Sequence, residues 1–325
     1  MLRRLFAALA LTALLGTAAA QAQDDYPSNV ITVVVPFSAG GPTDTVTRLV
    51  AESMSRTLGQ QINVENVGGA GGTLGAGQVA KANADGYTLL LHHIGMATSA
   101  TLYRSLPYDP RTAFAPIGLV TEVPMTIVAR GDFPPKDMSE LLAYVKENKD
   151  TVTYANAGIG AASHLCGMLL MSAIDTQLTT VPYKGTGPAM TDLLGGQVDF
   201  MCDQTTNTTE QIKAGKIKVY AVTTEKRLDI LPDTPTGMES GLDKLQVGVW
   251  HGLYAPAGTP EAIINKLSEA LKTALADPTV MERFAELGTA PVPADQATPA
   301  ALQAKVTSEI DRWAPIIKEA GVFAD

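Results

Sequence analysis

Strand-like and helix-like segments alternate along most of the sequence, and this alternation restricts the possible folds more than any other feature. Residues 30–35, 62–67 and 87–92 are apolar and strand-like, and helix-like segments at 44–58 and 73–82 separate them. Further strand candidates are residues 117–120, 125–129, 152–155, 179–182, 198–202 and 217–222, and further helix candidates are residues 139–148, 161–174, 188–194 and 208–214. The pattern predicts an α/β fold with mainly parallel sheets flanked by helices.

The C-terminal part of the chain breaks this alternation. After a strand candidate at residues 245–254, only helical patterns follow, at residues 260–275, 278–287 and 299–320. Helices without strands of their own must bury their apolar faces on a sheet formed elsewhere. We therefore predict two domains: residues 24–125 with 250–325 form domain 1, residues 126–249 form domain 2, and two crossover strands join them.

A glycine-containing loop, PFSAGGPTD at residues 36–44, lies between the first strand and the first helix. A helix start presents unpaired N–H groups and partial positive charge, so it can bind an anion without arginine. Glycines allow the backbone to approach such a ligand closely. A tight turn with Asp44 as the helix cap is an equally simple interpretation.

A second loop of this type, NAGIGAASH at residues 156–164, lies in the other predicted domain. Ligands of open α/β sheets bind beyond the carboxyl ends of the strands, where both loops fall. The two helix starts could hold the two ends of one small dianion.

The glycines do not form a nucleotide-binding motif. The sequence contains no G-x-x-x-x-G-K-[ST]. Residues 75–80 match the loose dinucleotide pattern, but they lie inside a helical segment, where the match is weak. The sequence therefore indicates no nucleotide cofactor.

Ser163 and His164 are adjacent, which invites a catalytic interpretation. Adjacent residues of a helix point about 100° apart, and no G-x-S-x-G elbow is present, so we expect no enzyme here. Both side chains can instead donate hydrogen bonds to a carboxylate. The alternative is a capping serine beside a surface histidine.

Three other segments follow strands and could line a cleft. They are His92-His93 with Met96, the loop from Tyr183 to residue 187, and the segment that begins at Asp203. An ordinary solvated turn is an equally good interpretation of each.

The N-terminus and the charge balance limit localisation and ligand. Residues 1–22 have a basic start, a short apolar run and an A-x-A ending, which predicts a secretory signal peptide. The net charge is −9 at pH 7, and removal of Arg3 and Arg4 makes it −11, which disfavours nucleic acid as a partner. Hydrophobic residues make up 46% of the chain and charged residues 18%, as in a well-packed globular protein.

The two cysteines, Cys166 and Cys202, favour a disulfide in an oxidising compartment. Two buried free thiols are the alternative. None of the four histidines has metal-ligand spacing with either cysteine, so no metal site is expected.

The chain resembles the periplasmic solute-binding receptors of tripartite tricarboxylate transporters, the Bug receptor family. The resemblance covers nearly the whole chain after the leader. It rests on PFSAGGPTD (36–44), DGYTL (85–89), GIG (158–160) with Ser163 and His164, VPYKG (181–185), LGGQVD (194–199) and WHGLYAPAGTP (250–260). It differs from the common pattern at Pro42, which stiffens the first loop and removes one N–H donor.

The resemblance implies a two-domain clamshell of the type II-like periplasmic binding protein fold. Such a receptor closes on a small organic acid, holds its carboxylates with the two glycine loops, and delivers it to a membrane permease. We therefore expect a periplasmic, monomeric binding protein without a cofactor. The candidate ligand-binding residues are Phe37, Ser38, Ala39, Gly40, Gly41, Thr43, Asp44, His93, Met96, Ala157, Gly158, Gly160, Ser163, His164, Tyr183 and Asp203.

The ligand expected first is a dicarboxylate, because two anion sites suit two carboxylates. An acidic amino acid would need a partner for its ammonium group, and Asp44 is the candidate for it. An aromatic monocarboxylate, and a sensory role with the same fold, remain alternatives.

Overall fold

The computed structural model describes residues 26–324. The predicted signal peptide lies outside these residues. The strands are β1 (Ile31–Val35), β2 (Ile62–Asn66), β3 (Thr88–His93), β4 (Phe114–Arg130), β5 (Thr153–Asn156), β6 (Thr179–Pro182), β7 (Phe200–Gln204), β8 (Ile217–Val222) and β9 (Gly248–Pro256).

The helices surround these strands. They are α1 (Pro42–Leu58), α2 (Thr73–Val79), α3 (Gly95–Leu102), α4 (Met138–Glu147), α5 (Ala162–Ala173), α6 (Thr186–Leu194), α7 (Thr205–Lys213), α8 (Glu261–Leu275), α9 (Pro278–Glu286) and α10 (Pro299–Ala320), with short 3-10 helices at Ala70–Gly72 and Met238–Ser240.

The strands lie in the order β2-β1-β3-β9-β4-β7-β5-β6, and β8 also pairs with β4. Strands β1, β2 and β3 pair in parallel, as do β5, β6 and β7. The antiparallel pairings all involve β4 or β9. The prediction of mainly parallel sheets was therefore wrong, because these two long strands make the arrangement mixed.

Strand β4 belongs to two sheets. Its first part pairs with β9 as far as Pro124, and from Met125 onward it pairs with β7 and β8. We call β2, β1, β3, β9 and the first part of β4 the first sheet, and the remaining strands with the end of β4 the second sheet. The sequence predicted two separate strands here, but the chain runs through without a break.

The C-terminal helices lie on the first sheet. Helix α8 packs against α1 and β4, and α10 packs against α3 and β4. Their apolar side chains form cores with the faces of the sheet, where Leu267, Leu271 and Trp313 are buried. Helix α3 is an additional element that the strand–helix pattern did not predict, because it is short and its apolar residues do not follow an amphipathic pattern.

A disulfide joins Cys166 of α5 to Cys202 of β7, with an S–S distance of 1.97 Å. It ties the helix that follows the second glycine loop to the neighbouring strand. Within residues 26–324, no helix is both long enough and apolar enough to cross a membrane.

Candidate functional site

Four helices of the described chain begin at one small cavity. Residues 41–43 lie at the start of α1 and residues 161–163 at the start of α5, while Thr186 begins α6 and Gln204 precedes α7. The cavity volume is about 20 Å³, which is room for about one water molecule. Because the first N–H groups of each helix lack helical partners and carry partial positive charge, these helix starts together attract an anion.

The remaining lining comes from strand ends and loops. The cavity is lined by Phe37, Gly41, Pro42, Thr43, His93, Ala157, Ala161, Ala162, Ser163, Thr186, Asp203 and Gln204. Among residues 26–324, no lysine or arginine belongs to this lining. An anion in this cavity would therefore be attracted by the backbone N–H groups of the helix starts and by neutral side-chain donors.

The first glycine loop is held by its own acidic residue. The Gly40 N–H donates to Asp44 Oδ2 at 2.9 Å, Asn66 Nδ2 donates to Asp44 Oδ1 at 3.0 Å, and Arg48 binds the same carboxylate at 2.9 Å. Burial alone would raise the pKa of the Asp44 carboxyl, but these hydrogen bonds hold it below its usual value. Asp44 lies outside the cavity lining, so its position does not support the predicted role as partner of a ligand ammonium group.

The second glycine loop is held by neutral side chains. Asn156 Oδ1 accepts from the Gly158 N–H at 2.8 Å, and His164 Nδ1 accepts from the Gly160 N–H at 3.4 Å. Both glycines have positive φ, 98° and 88°, which favours glycine at these positions. Since their N–H groups already have partners, the amide donors that remain for a ligand are those of the first turn of α5.

Two hydroxyl groups occupy the same position in the two loops, the second residue of α1 and of α5. Ser163 Oγ accepts from the Ala157 N–H at 2.9 Å, which leaves the Ser163 proton available to the cavity. Thr43 Oγ1 lies 3.3 Å from His251 Nε2.

The tautomer of His251 decides the role of Thr43. His251 Nδ1 lies 3.1 Å from the Val249 carbonyl oxygen, which can only accept, so this nitrogen carries the ring proton. Burial lowers the pKa of His251 to about 3, which keeps the ring neutral and leaves Nε2 as an acceptor. Thr43 therefore donates its proton to His251 and turns oxygen lone pairs toward the cavity, whereas Ser163 presents a donor.

His93 and Phe37 form an aromatic wall of the cavity. Their rings stack at a centroid distance of 4.5 Å. His93 Nδ1 accepts from the Gly95 N–H at 2.9 Å, and burial holds the pKa of His93 well below its ordinary value. The neutral ring therefore carries its proton on Nε2, and His93 is a hydrogen-bond donor rather than a cation.

Asp203 and Gln204 bring acceptors to the cavity from the end of β7. Asp203 is 1% exposed, and its Oδ2 accepts from Asn207 Nδ2 at 2.5 Å. Burial raises the pKa of Asp203 to about 6, against hydrogen bonds from Asn207, the Gln204 N–H and Thr186 that lower it. Gln204 is 4% exposed, and its Oε1 has no hydrogen-bond partner within residues 26–324.

The structure brings together seven of the residues predicted from the sequence. Phe37, Gly41, Thr43, His93, Ala157, Ser163 and Asp203 line the cavity, whereas Ser38, Ala39, Gly40, Asp44, Met96, Gly158, Gly160, His164 and Tyr183 do not.

The predicted residues outside the lining have other contacts. Met96 is fully buried in the core, and the Tyr183 hydroxyl donates to Asp192 at 2.6 Å. Burial lowers the pKa of His164 to about 4, and the ring accepts the hydrogen bond from the Gly160 N–H within the second loop.

The candidate residues chosen from the sequence did not include Pro42, Ala161, Ala162, Thr186 and Gln204, which also line the cavity, although Thr186 and Gln204 belong to two of the segments predicted to line a cleft. A signal existed for Thr186, because it follows the third strand–glycine–helix connection, at Gly185. Gln204 ends a strand beside Asp203, and the same strand-end argument applies to it. Ala161 and Ala162 have no polar side chain that a sequence pattern could single out, since they contribute to the site only through the backbone at the start of α5.

Loops of the first sheet contact loops of the second sheet around the cavity. The Ser38 N–H donates to the Lys184 carbonyl, and the Tyr103 hydroxyl donates to the Ile159 carbonyl, both at 2.9 Å. Thr98 Oγ1 donates to the Gly160 carbonyl, also at 2.9 Å. A Cβ at Gly187 would lie 2.8 Å from the Ala39 carbonyl oxygen, so this approach depends on glycine.

Within residues 26–324, no group of three or more His, Cys, Asp or Glu residues is arranged to hold a metal ion. The buried histidines instead contact one another and Phe37. The ring centroids of His93 and His251 lie 5.9 Å apart. The histidines, hydroxyl groups and helix starts of this site offer hydrogen bonds and helix-dipole attraction.

Comparison with known proteins identifies a family. A model described as the tripartite tricarboxylate transporter family receptor matches residues 46–322. A protein of Agrobacterium vitis, from the TAR-I ttuE-ttuC' intergenic region, is 60% identical over 316 residues, which cover 97% of this chain and 91% of the relative.

Solved structures show the same fold at high identity. The periplasmic binding protein BugD is 56% identical, with a TM-score of 0.91 over 92% of this chain and 100% of its own. MatC of Rhodopseudomonas palustris with bound malate is 44% identical, with a TM-score of 0.88 over 90% of this chain and 100% of its own. A further R. palustris protein, solved with adipate, is 33% identical, with a TM-score of 0.87 over 92% and 99% of the two chains.

Proposed function

Because this chain belongs to the tripartite tricarboxylate transporter receptor family, a family of binding proteins and not of enzymes, we propose that it captures a small dicarboxylate at the cavity described above. The ligand is then delivered to the membrane permease of such a transporter. The malate and adipate bound by two relatives are both dicarboxylates, which supports this ligand class.

The observation that carries the proposal is the convergence of four helix starts on one cavity without a basic side chain. Two of these starts, of α1 and α5, follow strands of different sheets. Two carboxylates can each be held by N–H groups and a hydroxyl, with little contribution from the net charge of the protein.

Capture by closure of a two-domain clamshell is the second part of the proposal. A cavity of about 20 Å³ is too small for a dicarboxylate, so the loops would have to separate for the ligand to enter. The domains would be residues 24–125 with 250–325, and residues 126–249. The change of partners in β4 between Pro124 and Met125 supports a domain boundary there. Strand β9 pairs with the first part of β4, which supports the return of the chain to domain 1 near residue 250.

The proposed localisation and oligomeric state are those expected for the family. The related BugD is a periplasmic binding protein, which supports export of this chain to the periplasm by its leader. We propose that it acts there as a monomer whose partners are the carboxylate and the permease subunits.

A thermal-shift screen of the mature protein against organic acids tests the ligand class. A ligand at a hundred times its dissociation constant adds about 2.7 kcal/mol to the free energy of unfolding, which raises the melting temperature of a chain of this length by about 4 °C. Malate, succinate, adipate and aromatic monocarboxylates are compared at one ionic strength. We expect the largest shift with a dicarboxylate.

Succinamide is the matched control, because it has the length of succinate without its charges. The proposal fails if no acid raises the melting temperature, or if succinamide or a neutral sugar raises it as much as a dicarboxylate does. If an aromatic monocarboxylate gives the largest shift, the ligand is of that class and not a dicarboxylate.

A further inference from the structure

The segment that follows helix α10 lies beside the end of helix α3. Helix α10 ends at Ala320, and Gly321 takes the left-handed conformation, with φ 65°, that ends the helix and turns the chain. The Ala324 N–H then donates to the Leu102 carbonyl at 2.7 Å, and the Arg104 N–H donates to the Ala324 carbonyl at 3.1 Å. The 321–324 segment is therefore attached to the backbone on both sides of residue 103.

The residue between these two hydrogen bonds, Tyr103, lies where regular structure stops. It is the first residue after α3 and is extended, with φ −94° and ψ 123°. Residues 104–113, all of which the structure describes, form neither a helix nor a strand. The parallel pairing of Tyr103 with Ala324 supplies the backbone hydrogen bonds that a helix or sheet would otherwise give here. The 321–324 segment therefore sets the direction of the backbone at Tyr103.

Two side chains keep the 321–324 segment in this place. Val322 packs against the hydrophobic core that α3 and α10 share. The guanidinium of Arg104 lies over the ring of Phe323, 5.4 Å from its centroid, although the ring itself is 40% exposed. The segment is thus fixed by packing and by a cation–π contact as well as by its backbone, and it can in turn fix its neighbour.

The Tyr103 side chain reaches across to the second glycine loop. Its hydroxyl donates to the Ile159 carbonyl at 2.9 Å. A Cβ at Gly71 would collide with this carbonyl, so the close approach of the two sides depends on glycine. Tyr103 and Ala324 line one surface groove together with Ile159 and Lys184, which belong to loops of the second sheet. The 321–324 segment therefore lies at the mouth between the two sheets.

Two other contacts between the loops are held in a different way. Ser38 donates to the Lys184 carbonyl through its backbone N–H, next to strand β1. Thr98 donates to the Gly160 carbonyl from within α3, where the hydrogen bonds of the helix fix its backbone. Neither residue is bonded to the 321–324 segment. Tyr103 differs from both, because the hydrogen bonds on either side of it go to Ala324.

We propose that the 321–324 segment is a positioning element, which holds Tyr103 in the orientation that ties the second glycine loop to the loops of the first sheet and so slows release of the ligand. Ala324 does not line the ligand cavity, so it acts through Tyr103. The inference rests on the proposed function, because the ligand is taken to leave when the loops separate. Loss of one such hydrogen bond should change the dissociation rate about threefold.

Shortening the chain tests the role of the segment. A variant that ends at Gly321 loses both backbone hydrogen bonds but keeps the residue that ends α10, and it should release succinate about threefold faster in stopped-flow measurements. A variant that ends at Ala324 is the matched control, because it also loses the charge of Asp325 but keeps both bonds, and it should release succinate at the wild-type rate. If the shorter chain does not fold, Ala324→Pro removes only the N–H that donates to Leu102.

Combination with Tyr103→Phe separates positioning from general support of the fold. If the segment acts through Tyr103, the chain that ends at Gly321 should accelerate dissociation by less than about 1.5-fold when the Tyr103 hydroxyl is already absent. In Thr98→Val, which loses a contact that does not depend on the segment, the acceleration should remain about threefold. Equal acceleration in the wild type and in Tyr103→Phe would overturn the inference, as would wild-type release from the shortened chain.

Hydrogen exchange of the ligand-free protein separates this inference from the proposed function. The chain that ends at Gly321 should exchange faster at residues 156–164, in the second glycine loop, and at an unchanged rate in α4, which lies away from the segment. Faster exchange confined to residues 102–104, or faster exchange everywhere, would show local support or general stability instead, and the inference would be wrong. If no organic acid binds but the second loop exchanges faster, the proposed function fails and the positioning role stands.

Discussion

The two glycine loops look like equivalent halves of one site in the sequence, but the structure gives them opposite hydrogen-bonding roles. Each follows a strand, opens a helix and places a hydroxyl at the second helical residue. Thr43 gives its proton to His251 and becomes an acceptor, whereas Ser163 accepts from Ala157 and remains a donor. Loops with the same pattern can therefore bind opposite ends of a ligand that carries both acceptor and donor groups.

The loops also differ in how they are held. The first is fixed by a charged cluster around Asp44, and the second by the neutral side chains of Asn156, Ser163 and His164. The disulfide reinforces only the second, since Cys166 lies two residues beyond that loop and is joined to the strand that carries Asp203. The second loop is expected to be the more rigid side of the cleft.

Removal of the disulfide, which reinforces only the second loop, should have the largest effect on stability. The double substitution Cys166→Ala and Cys202→Ala opens a loop of 36 residues, which should lower the free energy of unfolding by roughly 3–4 kcal/mol. Urea denaturation with circular dichroism measures it. Reductant should destabilise the wild type similarly and leave the variant unchanged, and a loss below about 1 kcal/mol would show that packing alone holds this side.

Acid should destabilise both loops through their buried histidines. Burial lowers the pKa of His251 to about 3 and that of His164 to about 4, whereas an exposed histidine titrates near 6.5. Below pH 6.5 the unfolded chain binds protons that the folded chain does not, so stability falls as the pH falls. Each histidine should cost about 2 kcal/mol at pH 5.

His251→Gln and His164→Gln measure the two contributions separately. The difference in unfolding free energy between each variant and the wild type should change by about 1.2 kcal/mol between pH 6 and pH 5. Asp203, whose pKa is raised to about 6, contributes in the opposite direction, but equally in all three proteins. A difference that stays constant with pH would contradict the neutral state assigned to that ring.

The contrast between the two hydroxyls predicts unequal losses of affinity. Ser163→Ala removes a donor and should weaken succinate binding about tenfold. Thr43→Val removes a hydroxyl whose proton is already used, so succinate should lose less than about threefold. Isothermal titration calorimetry with succinate measures the affinity of both variants. Equal losses of affinity would mean that Thr43 also donates to the ligand.

The hydrogen bonds between loops of the two sheets should have the smallest effect, on the rate at which the ligand dissociates. Tyr103→Phe removes the hydrogen bond to the Ile159 carbonyl without touching the cavity lining, and should speed dissociation about threefold. The first loop makes its matching contact through the backbone N–H of Ser38, which no change of side chain other than proline removes. Tyr87→Phe, which loses a hydrogen bond to Ser28 far from the cavity, is the control in stopped-flow measurements. Unchanged dissociation would show that Tyr103 does not hold the loops together.

Much of the fold was predictable because it depends on local periodicity. The bounds of β6, β8 and α10 agree with the sequence patterns, and the predicted helix at residues 278–287 agrees with α9 to within one residue. The unbroken β4 was not recognised, because Pro124 and polar residues near it resemble a strand end.

The sequence by itself determined that strands alternate with helices, that glycine loops follow strands, and that an anion could be held at helix starts. These properties depend on residues close together in the chain. Only the tertiary structure decided that Asp44 is neutralised, that Asp203 is the acid at the cavity, and that Thr43 and Ser163 have opposite polarity. The partner of Thr43 lies 208 residues away, at His251, and no local pattern records which atom will meet it in the folded protein.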